Sequence, residues 1–326
     1  MNRLVSALRP DSFTLMIVAT VGLASVVPAS GALVPLLDTA VKASVMALFF
    51  LHGARLAREA VLQAIGHWRL QLSILGLTYL LFPSIALLTG PLGSRLLEPT
   101  LYLGFVFLCC LPSTVQSSIA FTSVGRGNVP AAACAASASN LLGIVVTPLL
   151  TGLLLARQGQ VTFGAMGSIV VLLLLPFVAG QVARHWLGDW VSRRRLLLTT
   201  VDRGAILLMI YAAFGKAVEA GVWQRVSVAD LGLVVVASIV LLATVLVLAV
   251  FVARRLGFSR EDEVAIVFCG SMKSLVTGMP MANVLFPGAQ AGILVIPMIV
   301  FHQVQLLACA VLARRYGNRT SAPRAE

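Results

Sequence analysis

The chain has 326 residues, of which 59% are hydrophobic and 11% charged, with a mean hydropathy of +0.97. A soluble domain must show water a polar surface, and this composition supplies too little of one, so the chain reads as a polytopic membrane protein. The net charge of +12 would suggest nucleic acid in a soluble chain, but the arginines lie in short loops between apolar runs. There they read as topology signals, and nucleic-acid binding is set aside.

Ten runs are long enough to cross about 30 Å of hydrocarbon. They are predicted near residues 13–31, 33–51, 68–89, 99–121, 129–156, 162–183, 204–222, 229–253, 263–286 and 289–313. The first, with Arg3 and Arg9 before it and the small residues Pro28, Ala29, Ser30, Gly31 and Ala32 at its end, also has the outline of a signal peptide. An uncleaved helix is the expectation, because it leaves five segments per half. In segment 2, Asp38 stands four residues before Lys42, the spacing of a helical ion pair.

Segment 4 carries the first anomaly, the run Pro112, Ser113, Thr114, Val115, Gln116, Ser117, Ser118. Proline removes a backbone donor, and the hydroxyls and the amide supply oxygens that suit a hard monovalent cation. The bland alternative is a kinked helix whose serines bond back to their own carbonyls. Segment 5 adds Ser137, Ser139 and Asn140 before Gly143, either as further polar groups or as small-residue helix packing. Between Arg184 and Arg203 lies the one natural seam of the chain.

Segment 9 is interrupted in turn by Gly270, Ser271, Met272, Lys273 and Ser274. Lys273 stands about ten residues into its segment, too deep to snorkel. A buried ammonium there must find an anion, find a ring of carbonyls, or give up its proton. With no acid close in sequence, the candidate anions are Asp38 and an anionic substrate. His302, Gln303 and Gln305 form the other deep polar set, in segment 10, where the histidine reads first as hydrogen-bonded structure and second as a proton carrier. The five cysteines, Cys109, Cys110, Cys134, Cys269 and Cys309, show no metal or disulfide spacing and read as small buried hydrophobes, with Cys269 set apart by its place beside the break.

The two breaks fall in the fourth segment of each half. Unwound polar backbone at membrane depth belongs in an enclosed cavity, and inverted-repeat transporters keep such helices in matching positions. Of the 24 Lys and Arg residues, 18 fall on one side of the ten-segment topology. Four, Arg95, Arg157, Lys216 and Arg225, fall on the other, with Lys42 and Lys273 inside segments. That split puts both termini in the cytoplasm, in a bacterial-type inner membrane. The fold class expected is an all-α polytopic membrane protein of ten transmembrane helices. Residues 1–157 and 162–313 form two inverted five-helix repeats, with 314–326 as a basic tail.

The stretches 112–118, Asn128 to Ala133, Leu142 to Leu150 and Asp262 to Leu275 resemble the bile acid:sodium symporter family, and more closely its orphan branch with a Cys and a Lys in the ninth helix. The resemblance covers essentially the whole chain. It implies a panel domain from helices 1, 2, 6 and 7, and a core domain from helices 3, 4, 5, 8, 9 and 10 in which helices 4 and 9 unwind and cross. It also implies secondary transport of organic anions such as steroid conjugates. In sodium-coupled members a Ser-Asn pair, helix 5 hydroxyls and a Glu of helix 9 hold one ion. Those positions read here as Ser117 and Ser118, then Ser137, Ser139 and Asn140, then Cys269. A second ion uses Gln residues of helices 9 and 3, which read here as Lys273 and Thr78. Losing a carboxylate and gaining an ammonium removes much of the attraction for sodium: unit charges about 4 Å apart repel by about 4 kcal/mol at an effective dielectric of 20.

The function expected is therefore alternating-access transport of a small organic anion, with no bound cofactor and with Na+ or H+ as the coupling ion. The site set is Thr78, Gln116, Ser117, Ser118, Ser137, Ser139, Asn140, Cys269, Ser271, Lys273, Ser274, His302 and Gln303. A sodium site, if present, would draw on Ser117, Ser118, Ser137 and Asn140. Two alternatives stand beside it: a non-transporting regulator of ion homeostasis, and an intramembrane hydrolase using Ser271 or Ser274 with Lys273 as base.

Overall fold

The structure is a computed structural model, and it describes residues 12–31, 33–55, 67–156, 163–221, 224, 226–286, 288 and 290–319. The charges Arg3, Arg9, Arg58, Arg157, Arg225 and Arg324 and the end of the basic tail lie outside the described residues.

The described residues are helical, with no strands among them. The first two helices are α1 (Ser12–Val26) and α2 (Leu33–Arg55). Next come α3 (Trp68–Leu88), a short α4 (Gly90–Leu96), α5 (Pro99–Cys110), α6 (Val115–Val124) and α7 (Val129–Ala156). The second half holds α8 (Phe163–Arg193), α9 (Arg195–Glu219) and α10 (Val228–Arg255). It ends with α11 (Arg260–Ser271), α12 (Leu275–Leu285), α13 (Gln290–Leu294) and α14 (Ile296–Arg319). Among the described residues seven helices or joined helix pairs are long and apolar enough to cross a membrane, or eight when α5 and α6 count as one span bent by 63°. α1 is apolar but only 15 residues long. Over the arginine-rich stretch, α8 runs unbroken through Arg184 to Arg193 and α9 starts at Arg195, leaving only Arg194 outside a helix. Arginine and leucine are good helix formers, so a charged stretch between two long helices continues them.

Helix ends follow local chemistry. Glu98 caps α5 through its carboxylate on Leu101 N, ahead of Pro99, and Ser227 with Asp230 forms a reciprocal capping box at α10. α10 leaves Val235, Val236, Ile239, Val240, Val247 and Phe251 exposed, a face that only hydrocarbon can solvate.

α2 packs along α8, and α9 packs on α1 and α2, while α5, α6, α7, α10, α11 and α14 pack among themselves. The α2 to α8 seam depends on reciprocal glycines: a Cβ on Gly53 would collide with Phe177 O, and one on Gly180 with Phe50 O. Only bare backbone allows that approach. Between the two groups, Gly292 of α13 also lies close to α9, where a Cβ would lie 2.6 Å from Ala213 O.

Candidate functional site

Helix α5 stops at Cys110 because Pro112 offers no N–H, and the carbonyls from Cys109 onward lose their helical partners. Each finds another donor. Cys110 O accepts from Thr147 Oγ1 at 2.8 Å, Ser113 O from Asn140 Nδ2 at 2.6 Å, and Pro112 O from Ser274 N at 2.9 Å. The last bond joins the two breaks backbone to backbone.

Cys109 O and Leu111 O are taken by Lys273, whose Nζ donates to them at 3.0 and 2.7 Å. Its third donor goes to Thr78 O at 2.9 Å. That carbonyl is free because residues Leu77–Leu81 of α3 form a π-helical turn, in which Phe82 N bonds Leu77 O and the next residue, Pro83, has no N–H. The Phe82 ring lies 4.0 Å below the ammonium. Lys273 is 1% exposed with every ammonium donor used. Charge-assisted hydrogen bonds of this kind contribute about 1.5–3 kcal/mol each, and they coincide with the negative end of the α5 dipole.

Thr78 and Lys273, paired through the resemblance, do meet here, although through the backbone carbonyl of Thr78; its hydroxyl bonds Ile74 O within the helix. Asp38 does not reach Lys273, nor does it pair with Lys42. It accepts from Lys216 of α9, so tertiary packing overrides the helical spacing. The hydrolase geometry is not formed either: Ser271 Oγ bonds back to Val267 O, Ser274 Oγ bonds Thr277 Oγ1, and the Lys273 ammonium points into its carbonyl ring.

The remaining polar residues tie the breaks together. Ser113 Oγ donates to Cys269 O at 2.6 Å, Thr114 Oγ1 to Lys273 O at 2.8 Å, and Ser139 Oγ accepts from Ser113 N. Ser118 Oγ points to Phe268 O at 3.4 Å. Cys269 Sγ donates to Ala132 O at 3.6 Å. Gln305 clamps the second break from α14, accepting from Lys273 N at 2.8 Å and donating to Lys273 O at 2.9 Å. Its Nε2 also meets His302 Nδ1 at 2.9 Å.

A cavity of about 750 Å³ lies beside the breaks, the size of a site for a drug-sized molecule. Of the predicted set, Gln116, Ser117, Ser137, Asn140, Ser274, His302 and Gln303 line it. Thr78, Ser118, Ser139, Cys269, Ser271 and Lys273 are buried behind its wall. Ser117 and Ser118 thus part company, since adjacent helical residues face about 100° apart. Asn140 Oδ1 already accepts from Thr277 Oγ1 at 2.6 Å.

The opposite wall was not foreseen. It comes from α1, α2, α8 and α9, with Phe13, Phe49, Phe177 and Ile206 as apolar surface and His52, Arg55, Asp202 and Arg203 as charged or titratable groups. Thr14 Oγ1 donates across the cavity to Gln303 Oε1 at 2.8 Å. By sequence alone Arg55 and Arg203 count as loop charges. Their one sequence signal is that each falls within a turn or two of an apolar segment, able to turn inward.

Residues 11–318 match the SBF-like CPA transporter family. The chain is 52% identical to an uncharacterized protein of Pseudomonas aeruginosa and 50% identical to the protein YfeH of Escherichia coli, each alignment covering 95% of this chain and 94% of the relative. Sodium/bile acid cotransporter 7 of Rattus norvegicus is 30% identical over 95% of this chain and 93% of its own length.

Proposed function

This chain belongs to the SBF-like CPA transporter family, and on that premise we propose that it carries a small amphipathic organic anion across the bilayer by alternating access. The observation that carries this reading is the cavity itself. Its one wall is the pair of broken helices, with the N-termini of α6 and α12 at its edge, and its other wall is a separate group of helices rich in phenylalanine. Helix N-termini favour negative charge and the aromatic wall favours an apolar body.

The architecture in this proposal has ten spans, α1 and α8 completing the count, in two inverted repeats whose equivalent breaks meet at Ser274 and Pro112. α1, α2, α8 and α9 form the panel and the remaining spans the core. The charged end of the cavity, at the finish of α2 and the start of α9, lies on the arginine-rich side, and α13 closes the other end against α9. With that side cytoplasmic, the state is inward-open. Cysteine labelling of intact cells in a Cys-free background is expected to modify a Cys at Arg225 and spare one at Arg194; the reverse result refutes this topology.

Lys273 serves in this reading as a tethered cation. Carbonyls released by the breaks need positive charge, which sodium would supply in a sodium-coupled carrier and which the ammonium supplies here. When the core shifts and the ring opens, the same group can hand over a proton. Uptake of pregnenolone sulfate into proteoliposomes should therefore be unchanged when potassium replaces sodium and should respond to a pH gradient. Lys273→Gln should lose activity or become sodium-dependent, and strict sodium dependence of the wild-type protein overturns the tethered-cation reading.

A further inference from the structure

Lys273 is sealed behind the cavity wall, so the cavity needs another cation to recognise an anion. Arg55 stands at the end of α2 with its side chain 25% exposed, against 6% for its partner Asp202 of α9. The pair is lopsided. Arg55 Nη1 donates to Asp202 Oδ2 at 2.6 Å, whereas Nη2 reaches Oδ1 only at 3.4 Å, and Nε is buried with no partner. A guanidinium offers five donors in a planar fork made for two oxygens, and here one bond is firm. Around it His52 lies one turn earlier on α2, and Arg203, next to Asp202, stacks over Phe13 at 5.2 Å. Asp202 is the one acid among the described residues lining the cavity.

We propose that Arg55 is the residue that reads the charged group of the substrate, and that Asp202 is its resident placeholder. In the empty cavity the carboxylate keeps the guanidinium paired. A carboxylate, or two of the three terminal oxygens of a sulfate, can meet both arms of the fork and exchange with Asp202 on it, while the apolar body lies along Phe13, Phe49 and Phe177. A neutral molecule of the same shape cannot open the pair, and this is the source of selectivity. The inference rests on the organic-anion reading above, but it concerns binding and is tested without transport.

The test uses the purified full chain in nanodiscs with pregnenolone sulfate and its neutral parent pregnenolone as matched probes, binding being read by concentration-dependent thermal shift. Wild type should favour the sulfate. Arg55→Gln should lose that preference by about tenfold or more, the worth of one charge-assisted bond, and Arg55→Lys should restore it only in part, having charge without the fork. Asp202→Asn should move the other way, tightening sulfate binding several-fold because the competing carboxylate is gone; this variant decides the matter if Arg55→Gln does not fold. A folded Arg55→Gln that keeps the preference, an Asp202→Asn with unchanged or weaker sulfate binding, or a wild type indifferent to the sulfate overturns the proposal. Counterflow of the sulfate in proteoliposomes separates these failures from a failure of the transport reading.

Discussion

The two breaks meet backbone to backbone at Ser274 and Pro112, yet they are built from different chemistry. The first, at residues 111–114, is made by Pro112, bends its helix pair by 63° and leaves carbonyls in excess. The second, at residues 272–274, contains no proline and contributes donors: the Ser274 N–H and the Lys273 ammonium. The first break's backbone accepts from the second, while its Ser113 and Thr114 hydroxyls donate back to Cys269 O and Lys273 O, so the two breaks satisfy much of each other. A polar crossing can therefore exist at membrane depth with little help from water, because unsatisfied groups on one strand are partners for the other.

The largest effect should come from removing the donor side. Lys273→Met leaves the carbonyls of Thr78, Cys109 and Leu111 buried without their ammonium, and each orphan costs about 1–3 kcal/mol. The expected outcome is little folded protein surviving detergent extraction, read by fluorescence-detected size exclusion after heating. A melt like that of wild type would show that the breaks do not depend on each other. Gln305→Leu comes next, because it removes the acceptor of the Lys273 N–H and one of the two donors to the Lys273 carbonyl while keeping the side-chain ring; a loss of about 1–3 kcal/mol and faster amide exchange confined to residues near 272–275 are expected.

Smaller effects sharpen the contrast between lining and tying residues. Ser118→Ala should cost about 0.6 kcal/mol, the average for a hydrogen bond between membrane helices, and leave uptake unchanged. Ser117→Ala, one residue earlier on the cavity face, should leave the melting temperature unchanged and weaken uptake of the probe anion. Equal behaviour of the two variants would return both to one role.

Membrane class, both broken segments, and the depth of Lys273 were legible in order of residues alone, because each depends on local composition: a long apolar run needs lipid, and a proline or a lysine inside one is an exception that demands a partner. The carbonyl ring was among the solutions open to a buried ammonium. Which carbonyls form it was not legible, since that depended on a π-helical turn near Pro83 and on α5 ending at Cys110, brought together over more than 150 residues of sequence. Asp38 shows the same limit in reverse. Its local partner Lys42 lost to Lys216, 178 residues away, because helix packing placed a cation closer than the next turn did. The Arg55 and Asp202 pair was hidden for a further reason. Charges near helix ends serve topology and binding alike, and only the packing of α2 against α9 turned this one toward a cavity. What the order of residues determined by itself was where the chain could not be satisfied locally; the tertiary structure alone decided who satisfies whom, because hydrogen bonds and ion pairs act over a few ångströms and sequence distance carries no information about that.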